Sequence, residues 1–262
     1  MAKIETNSSG VNFAKLYDNH EDYAARRVTG SLAHSQIVIE TKEFKIPNLH
    51  ALIPADFCVH DVLEIGCATG ELIGNFPVPF NGRRAGNDIS IENIRAARLR
   101  FPEVSFSAGD FRDNSDNFDC TILSDILEHV DDDAEFLAAA AARCRYVLVN
   151  LPLEDNWLNF GRTYGPDDVS GHLRKYSLSQ GLDLFRRAGL EVVNYRQVWA
   201  HEQSFDTKRR ALRKQFNGQD YAGSALKRFL KHLVVETARA MPPVGRRLFA
   251  SNLFAIARRP AS

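Results

Sequence analysis

The chain has 262 residues, 44% of them hydrophobic and 25% charged, which suits one α/β domain with an insertion or two small domains and excludes a mainly disordered or collagen-like chain. The formal net charge of zero hides a split: from Asp206 onward thirteen Lys/Arg face three acids, giving +10, so residues 1–205 carry −10. No stretch approaches the roughly 18 uninterrupted apolar residues of a membrane-spanning helix.

The N-terminus, MAKIETNSSGVNF, has no apolar run of the kind a secretory signal needs, so the cytoplasm is the expected location. Residues 1–50 look helical, polar and irregular. From Asp61 the texture changes to short apolar runs alternating with amphipathic segments. Val62 to Ile65 reads as a strand, Gly70 to Phe76 as a helix, and Arg84 to Ile89 as a weak strand. Ile91 to Phe101 has apolar residues at helical spacing, and Val104 to Ser107 and Phe118 to Leu123 read as strands. An Ala-rich helix from Asp133 to Ala142 precedes a strand, Tyr146 to Asn150, ended by Pro152. Leu178 to Ala188 is a helix closed by Gly189, and Leu190 to Val198 a strand. This βαβα rhythm predicts a parallel sheet covered by helices on both faces.

About fifty residues separate that strand from the last one, Asn252 to Ala257; they include KRRALRKQF and ALKRFLKHLVVETARAM, stopped by Pro242 and Pro243. The chain thus divides into an N-terminal segment 1–50, a sheet domain 51–205, a basic helical insertion 206–250, and a final strand with its tail 251–262. Cys58, Cys67, Cys120 and Cys144 lie far apart with no C-x-x-C pair, which fits reduced thiols better than disulfides or a zinc site.

After the first strand comes Glu64-Ile-Gly66-Cys67-Ala68-Thr-Gly70, a small-residue turn into a helix of the kind that lets backbone approach a ligand. The dinucleotide fingerprint G-x-G-x-x-G fails, because Ala68 and Glu71 stand where it needs glycine. Acidic-x-Gly-x-x-x-Gly resembles instead the first motif of class I S-adenosylmethionine (SAM)-dependent methyltransferases, with Ala68 replacing the usual middle glycine. Asp88, in Gly-Asn-Asp88-Ile89-Ser, ends the second strand about 20 residues after the glycine loop, where a carboxylate can grip a ribose diol. Asp110-Phe111 follows the third strand; in the resembling family this Asp accepts from the adenine amino group and the neighbouring backbone N–H meets a ring nitrogen.

Ser124-Asp125-Ile-Leu-Glu128-His129 follows the fourth strand and is similar to the S-x-x-L-E-H segment of ubiquinone-pathway O-methyltransferases and the type 11 and 23 methyltransferase group. The resemblance places Ser124 and Asp125 beside the methionine part of SAM, and His129 on the active-site floor. Metal-using relatives have E-x-x-E-H here, so Asp125, Glu128 and His129 could hold one Mg²⁺, although the metal-free reading is preferred. The segment Gly-His172-Leu-Arg174-Lys-Tyr176-Ser recurs in the same broad group, and in an extended chain it puts His172, Arg174 and Tyr176 on one face. His172 is then a candidate general base and Arg174 and Tyr176 candidate acceptor contacts; the alternative is that these side chains brace the loop.

The fold implied is a Rossmann-like seven-stranded sheet with the last strand antiparallel, N-terminal lid helices, and a helical insertion before the last strand. Tyr17 and Tyr23 on the lid, and Trp157 and Tyr164 after the fifth strand, are the aromatic residues expected near a small-molecule acceptor. The activity implied is methyl transfer from SAM, leaving S-adenosyl-L-homocysteine (SAH), to a hydroxyl of a natural product, sugar or lipid-linked metabolite. Three other readings stay open: a small amine as acceptor, a metal-dependent RNA 2′-O-methyltransferase, and a non-catalytic SAM-binding protein. Nucleic acid is disfavoured as a partner because the main domain is acidic. The basic insertion could dock on the acidic domain, bind an anionic acceptor or lie on a membrane surface, and a dimer stays open.

Overall fold

The runs that read as uninterrupted apolar strands are the central ones, because a parallel strand covered by helices on both faces has no polar side to show. A computed structural model describes residues 31–79, 81–156, 159, 161–165, 168, 171–200, 208, 225–249 and 251–260. Its strands are β1 (Val62–Ile65), β2 (Arg84–Asp88), β3 (Ser105–Ala108), β4 (Phe118–Ser124), β5 (Cys144–Pro152), β6 (Glu191–Val198) and β7 (Asn252–Arg258). They form one sheet in the order β3-β2-β1-β4-β5-β7-β6. β1 to β5 pair in parallel, and β7 runs antiparallel between β5 and β6. The expected seven-stranded mixed sheet, with its last strand antiparallel, is the observed one.

The helices are α1 (Ser31–Glu40), which continues through a π-helical turn (Thr41–Lys45) into α2 (Ile46–His50), then α3 (Glu71–Asn75), α4 (Ile91–Arg100), α5 (Asp133–Ala141), α6 (Leu178–Arg187), α7 (Ala225–Ala240) and α8 (Pro242–Phe249). Side-chain caps start three of them: the Ser90 hydroxyl accepts from Asn93 N, Asp132 from Glu135 N, and Ser177 from Gln180 N in a full capping box. Strand ends differ from the sequence reading by one or two residues, most at β5, which runs on to Pro152 by pairing with β7.

Alternation along the strands divides the core in two. Leu63, Ile65 and Leu123 pack with Leu137 of α5 and Leu184 of α6. Val62, Ile122 and Ile256 face the other way, with Ile94 of α4 and with Phe44, Leu49 and Leu52. The N-terminal segment expected as a lid is therefore part of the core from Phe44 on, where the Phe44 ring meets Phe254 edge-on at 5.3 Å. Period two puts Glu64 on the Val62 face, the face that the π-helical turn covers. The strand order reverses at β1, with β2 on one side and β4 on the other, which opens a crevice at their carboxyl ends. No described helix is long and apolar enough to cross a membrane.

Candidate active site

The turn after β1 is built on left-handed backbone. Gly66 and Gly70 have φ of +74° and +78°, and a Cβ there would lie 2.3 Å from Ile126 and 2.8 Å from Phe106 respectively. Ala68 between them also has positive φ, +46°, a conformation that costs an L-residue about 1 kcal/mol. This is the physical meaning of the departure at position 68: the turn keeps its glycine-like shape and Ala68 bears the strain. Ala68→Gly should therefore be neutral or stabilise by up to about 1 kcal/mol, the relief of strain working against the entropy of a new glycine; a denaturant midpoint lower by that amount would contradict it. Cys67 is buried behind the turn, and burial pushes its thiol up, so it stays neutral and serves as packing.

Asp88 lies at the end of β2 with its carboxylate turned into the crevice wall. Its Oδ2 accepts from Ala68 N at 2.8 Å, and its Oδ1 accepts from Ser90 N at 2.9 Å. The side chain thus ties the β1 turn to the start of α4, while Ile89 beside it is 45% exposed. Glu64 accepts from Ile73 N at 3.0 Å. Burial pushes its carboxyl up to about 8 against the lowering effects of that hydrogen bond and of Lys45.

Lys45, missed by the sequence reading, is central to this end of the sheet. Its Nζ lies 2.7 Å from Asp125 and 3.8 Å from Glu40. Burial alone would depress its pKa, but the carboxylates of Asp125 and Glu40 outweigh that and hold the ammonium above its ordinary value. Asp125 itself has φ +54°; burial alone would raise its pKa, but Lys45 outweighs it and keeps the carboxylate ionised. Ser124 donates to Asp125, and the Asn150 amide bridges Ser124 Oγ at 3.0 Å and Asp125 Oδ1 at 3.1 Å. Asn252 at the start of β7 donates to Asn150 at 2.8 Å, so β4, β5, β7 and the π-helical turn meet in one polar network.

Asp110 and Phe111 follow β3. The Asp110 carboxylate is occupied by Arg112, accepting its backbone N–H at 2.9 Å and its guanidinium at 3.2 Å, and Arg112 also reaches Glu135. Phe111 is buried against Phe136, ring centroids 5.0 Å apart, so only its backbone can face a ligand.

The histidines form a second cluster. His129 Nδ1–H donates to Gly171 O at 2.9 Å, and His172 Nδ1–H donates to Glu154 Oε2 at 2.6 Å. The rings stand edge-to-face, 4.8 Å apart. With both Nδ1 atoms engaged, Nε2 is the second nitrogen of each ring, and that of His129 lies 3.7 Å from Glu128 Oε1. Glu128, 1% exposed, has both carboxylate oxygens buried without a hydrogen-bond partner, and burial, then the Asp125 charge, pushes its carboxyl well up. One ligand atom from each of Glu128, His129 and His172 lies within 4.8 Å of the others.

Of the extended segment after Gly171, only His172 belongs to this cluster. Tyr176 is 3% exposed and donates to Asp133 at 2.8 Å and to Leu127 O; Arg174 pairs with Asp133 at 3.2 Å. Asp133 sits in the first turn of α5, nearly buried, and Arg187 completes its shell. Satisfying that carboxylate turns Arg174 and Tyr176 away from the acceptor role expected of them. The less favoured alternative, a metal set of Asp125, Glu128 and His129, is not the one the fold assembles: Asp125 is the Lys45 partner, and His172 stands beside Glu128 and His129 instead. Tyr164 remains near the cluster, its hydroxyl 3.5 Å from Glu154 O and its ring 4.9 Å from the Arg162 guanidinium; burial pushes its pKa up to about 12. Arg162 ion-pairs with both Glu154 and Asp168. Tyr17, Tyr23 and Trp157 lie outside the described residues.

The model of a methyltransferase domain family matches residues 38–195. Ubiquinone biosynthesis O-methyltransferase of Rhodopseudomonas palustris is 32% identical over 108 residues, 38% of this chain and 42% of that protein; the chain therefore spans less than half the length of that relative. A Haloferax volcanii methyltransferase solved with the Trm112 activator shares the fold at a TM-score of 0.58 and 18% identity, over 93% of this chain and 99% of that one. Magnesium protoporphyrin IX methyltransferase of Synechocystis PCC 6803, solved with SAM, superposes at a TM-score of 0.51 and 12% identity, over 95% of both chains.

Proposed function

The chain belongs to the methyltransferase domain family of class I SAM-dependent enzymes, and on that premise we propose that it methylates a hydroxyl group of a small molecule, with His172 as general base. The observation that carries the hydroxyl assignment is the Glu154–His172 pair at 2.6 Å. A hydroxyl must lose a proton as it attacks, and a carboxylate on Nδ1–H fixes the tautomer that leaves Nε2 able to take it. The name of the Rhodopseudomonas relative, an O-methyltransferase, agrees with this reading.

The donor set suits SAM: a glycine-like turn, then carboxylates ending β1 and β2, with a cation at the same end of the sheet. Asp88 would hold the ribose diol beside apolar Ile89, and Glu64 and Lys45 would take the ammonium and carboxylate of the amino-acid part. Asp110 would meet the adenine amino group once it shares or releases Arg112. SAM supplies an electrophilic methyl group that needs alignment and a dry site more than acid–base help.

Glu64 gives this assignment a pH signature. The folded carboxyl holds its proton to about 8 whereas an unfolded one releases it near 4.5. Its stabilising contribution is therefore complete below 4.5 and lost as pH rises through 8. Binding an ammonium works the other way, favouring the ionised form. SAH affinity should rise about tenfold between pH 6.5 and 8.5, and Glu64→Gln should flatten the rise. A pH-independent affinity in the parent protein would remove Glu64 from the site.

A second reading rests on its own observation, the buried Glu128 carboxylate, without a hydrogen-bond partner, grouped within 4.8 Å with one nitrogen each of His129 and His172. Two imidazoles and one carboxylate suit a first-row transition metal better than Mg²⁺; Glu128, His129 and His172 would hold it, and it would make an acceptor hydroxyl acidic enough to release its proton to solvent, with no role for His172 as base. Calorimetry with SAH, followed by methyl transfer from labelled SAM to a panel of phenols, catechols and sugars with and without EDTA, separates the readings. Activity that survives EDTA supports the base. Activity lost to EDTA and restored by Zn²⁺ or Mn²⁺ supports the metal. SAH binding with no transfer to any hydroxyl would overturn both.

A further inference from the structure

Six of the eleven large apolar side chains exposed among the described residues lie in one helical hairpin: Phe229, Leu230, Leu233, Met241, Val244 and Leu248, each between 42% and 62% exposed. The hairpin is α7 and α8, and it anchors itself by another face, through Val235, Ala238 and Phe249 packed on Trp199. On α7 the exposed positions 229, 230 and 233 fall on the opposite side of the helical wheel from 235 and 238. One apolar face is thus used for folding and a second is left outward, which a hairpin serving only as a cap would not need.

Charge says what covers it. Residues 225–249 hold six Lys/Arg (227, 228, 231, 239, 246 and 247) and a single acid, Glu236, which pairs with Arg239 at 3.0 Å. Residues 1–205 carry a net −10. A second copy seated face to face on this hairpin would set a net charge of +5 against another +5. An anionic bilayer instead attracts the hairpin, repels the acidic body, and accepts the apolar side chains among its acyl chains.

Position gives the contact a direction. β7 is antiparallel to both β5 and β6, so β6 ends where β4 and β5 end, and the hairpin is strung from that end back to Asn252. Asn252 is bonded to Asn150, and through it to Ser124 and Asp125. We infer that the α7–α8 hairpin docks on the surface of an anionic lipid bilayer, at the end of the sheet that carries the candidate active site. The inference does not depend on the methyl-transfer reading.

The test is co-sedimentation of the full chain with phosphatidylcholine vesicles, pure or containing about a quarter phosphatidylglycerol. Binding to the anionic vesicles, little to the neutral ones, and weakening as salt is raised severalfold is expected. The double variant Leu230→Glu, Leu233→Glu should bind them at least about tenfold more weakly with an unchanged SAH affinity, which shows that it is folded. Equal binding to both vesicle types, no binding, or full binding by the variant overturns the proposal. So does a concentration-dependent dimer in light scattering that the variant abolishes. SAH binding without vesicle binding removes the docking alone; vesicle binding without SAH binding supports the docking and removes the methyltransferase reading alone.

Discussion

Asp88→Asn should weaken SAH binding by at least about a hundredfold while leaving the fold intact. The parent carboxylate already accepts Ala68 N at 2.8 Å and Ser90 N at 2.9 Å, and a carboxylate has about four acceptor sites. Asn93 Nδ2 also approaches Oδ1, at 3.4 Å, so a diol would share or displace these donors; charge-assisted bonds to it are the strong kind, on the order of 2 kcal/mol each. The asparagine keeps the shape but turns one oxygen into a donor, which faces either a hydroxyl or a backbone N–H. The two costs can be separated. Loss of the backbone bond lowers the thermal midpoint, whereas loss of the diol bond shows as non-additivity with an SAH analogue lacking a ribose hydroxyl. In the parent that analogue should bind far more weakly than SAH; in Asp88→Asn the two ligands should bind about equally. Unchanged SAH affinity in a folded variant would overturn the ribose assignment and with it the reading of the β2 end.

The strands and the turn after β1 were legible because their signals are local, and the antiparallel last strand followed from the family resemblance. Glu64, Gly66 and Gly70 sit within one turn, and Asp88 follows at a spacing that the βαβ unit sets. Lys45 had no such signal. It lies 80 residues from Asp125 in the chain, on a π-helical turn that no periodicity announces, and only the fold brings the two to 2.7 Å. His129 and His172 were each visible, but their meeting was not, because it depends on Leu173 N bonding to Glu128 O at 2.8 Å and drawing two distant segments together. The extended-segment argument misplaced Arg174 and Tyr176 for a related reason. Alternation fixes which side of a strand a residue faces, yet the segment is no strand, and the buried Asp133 carboxylate was a stronger determinant than the local period. Within the basic insertion the described part, 225–249, is helical, but its outward apolar face needed the burial pattern of α7 to be seen.

The Glu154–His172 pair leads to the other large effect. His172→Ala should lower kcat about a thousandfold, the range expected for a lost general base, with SAH affinity unchanged because the imidazole touches no cofactor-binding group. Glu154→Gln tests the orientation separately. An amide at that position can still approach Nδ1, but it can equally present its NH₂ and favour the wrong tautomer, so turnover should fall with KM nearly constant. Arg162 bears on the interpretation, since it also pairs with Glu154 and with Asp168; a neutral residue 154 leaves that guanidinium with one carboxylate instead of two. Glu154→Asp keeps the charge and shortens the reach, and partial recovery of kcat there would assign the effect to the carboxylate rather than to loop disorder. If Glu154→Gln turned over as fast as the parent while His172→Ala did not, the pair would be a brace, and His172 would act as a ligand beside Glu128 and His129. Restoration of Glu154→Gln activity to the parent level by added Zn²⁺ alone would point the same way. The base assignment requires that both variants be slow and that neither respond to metal.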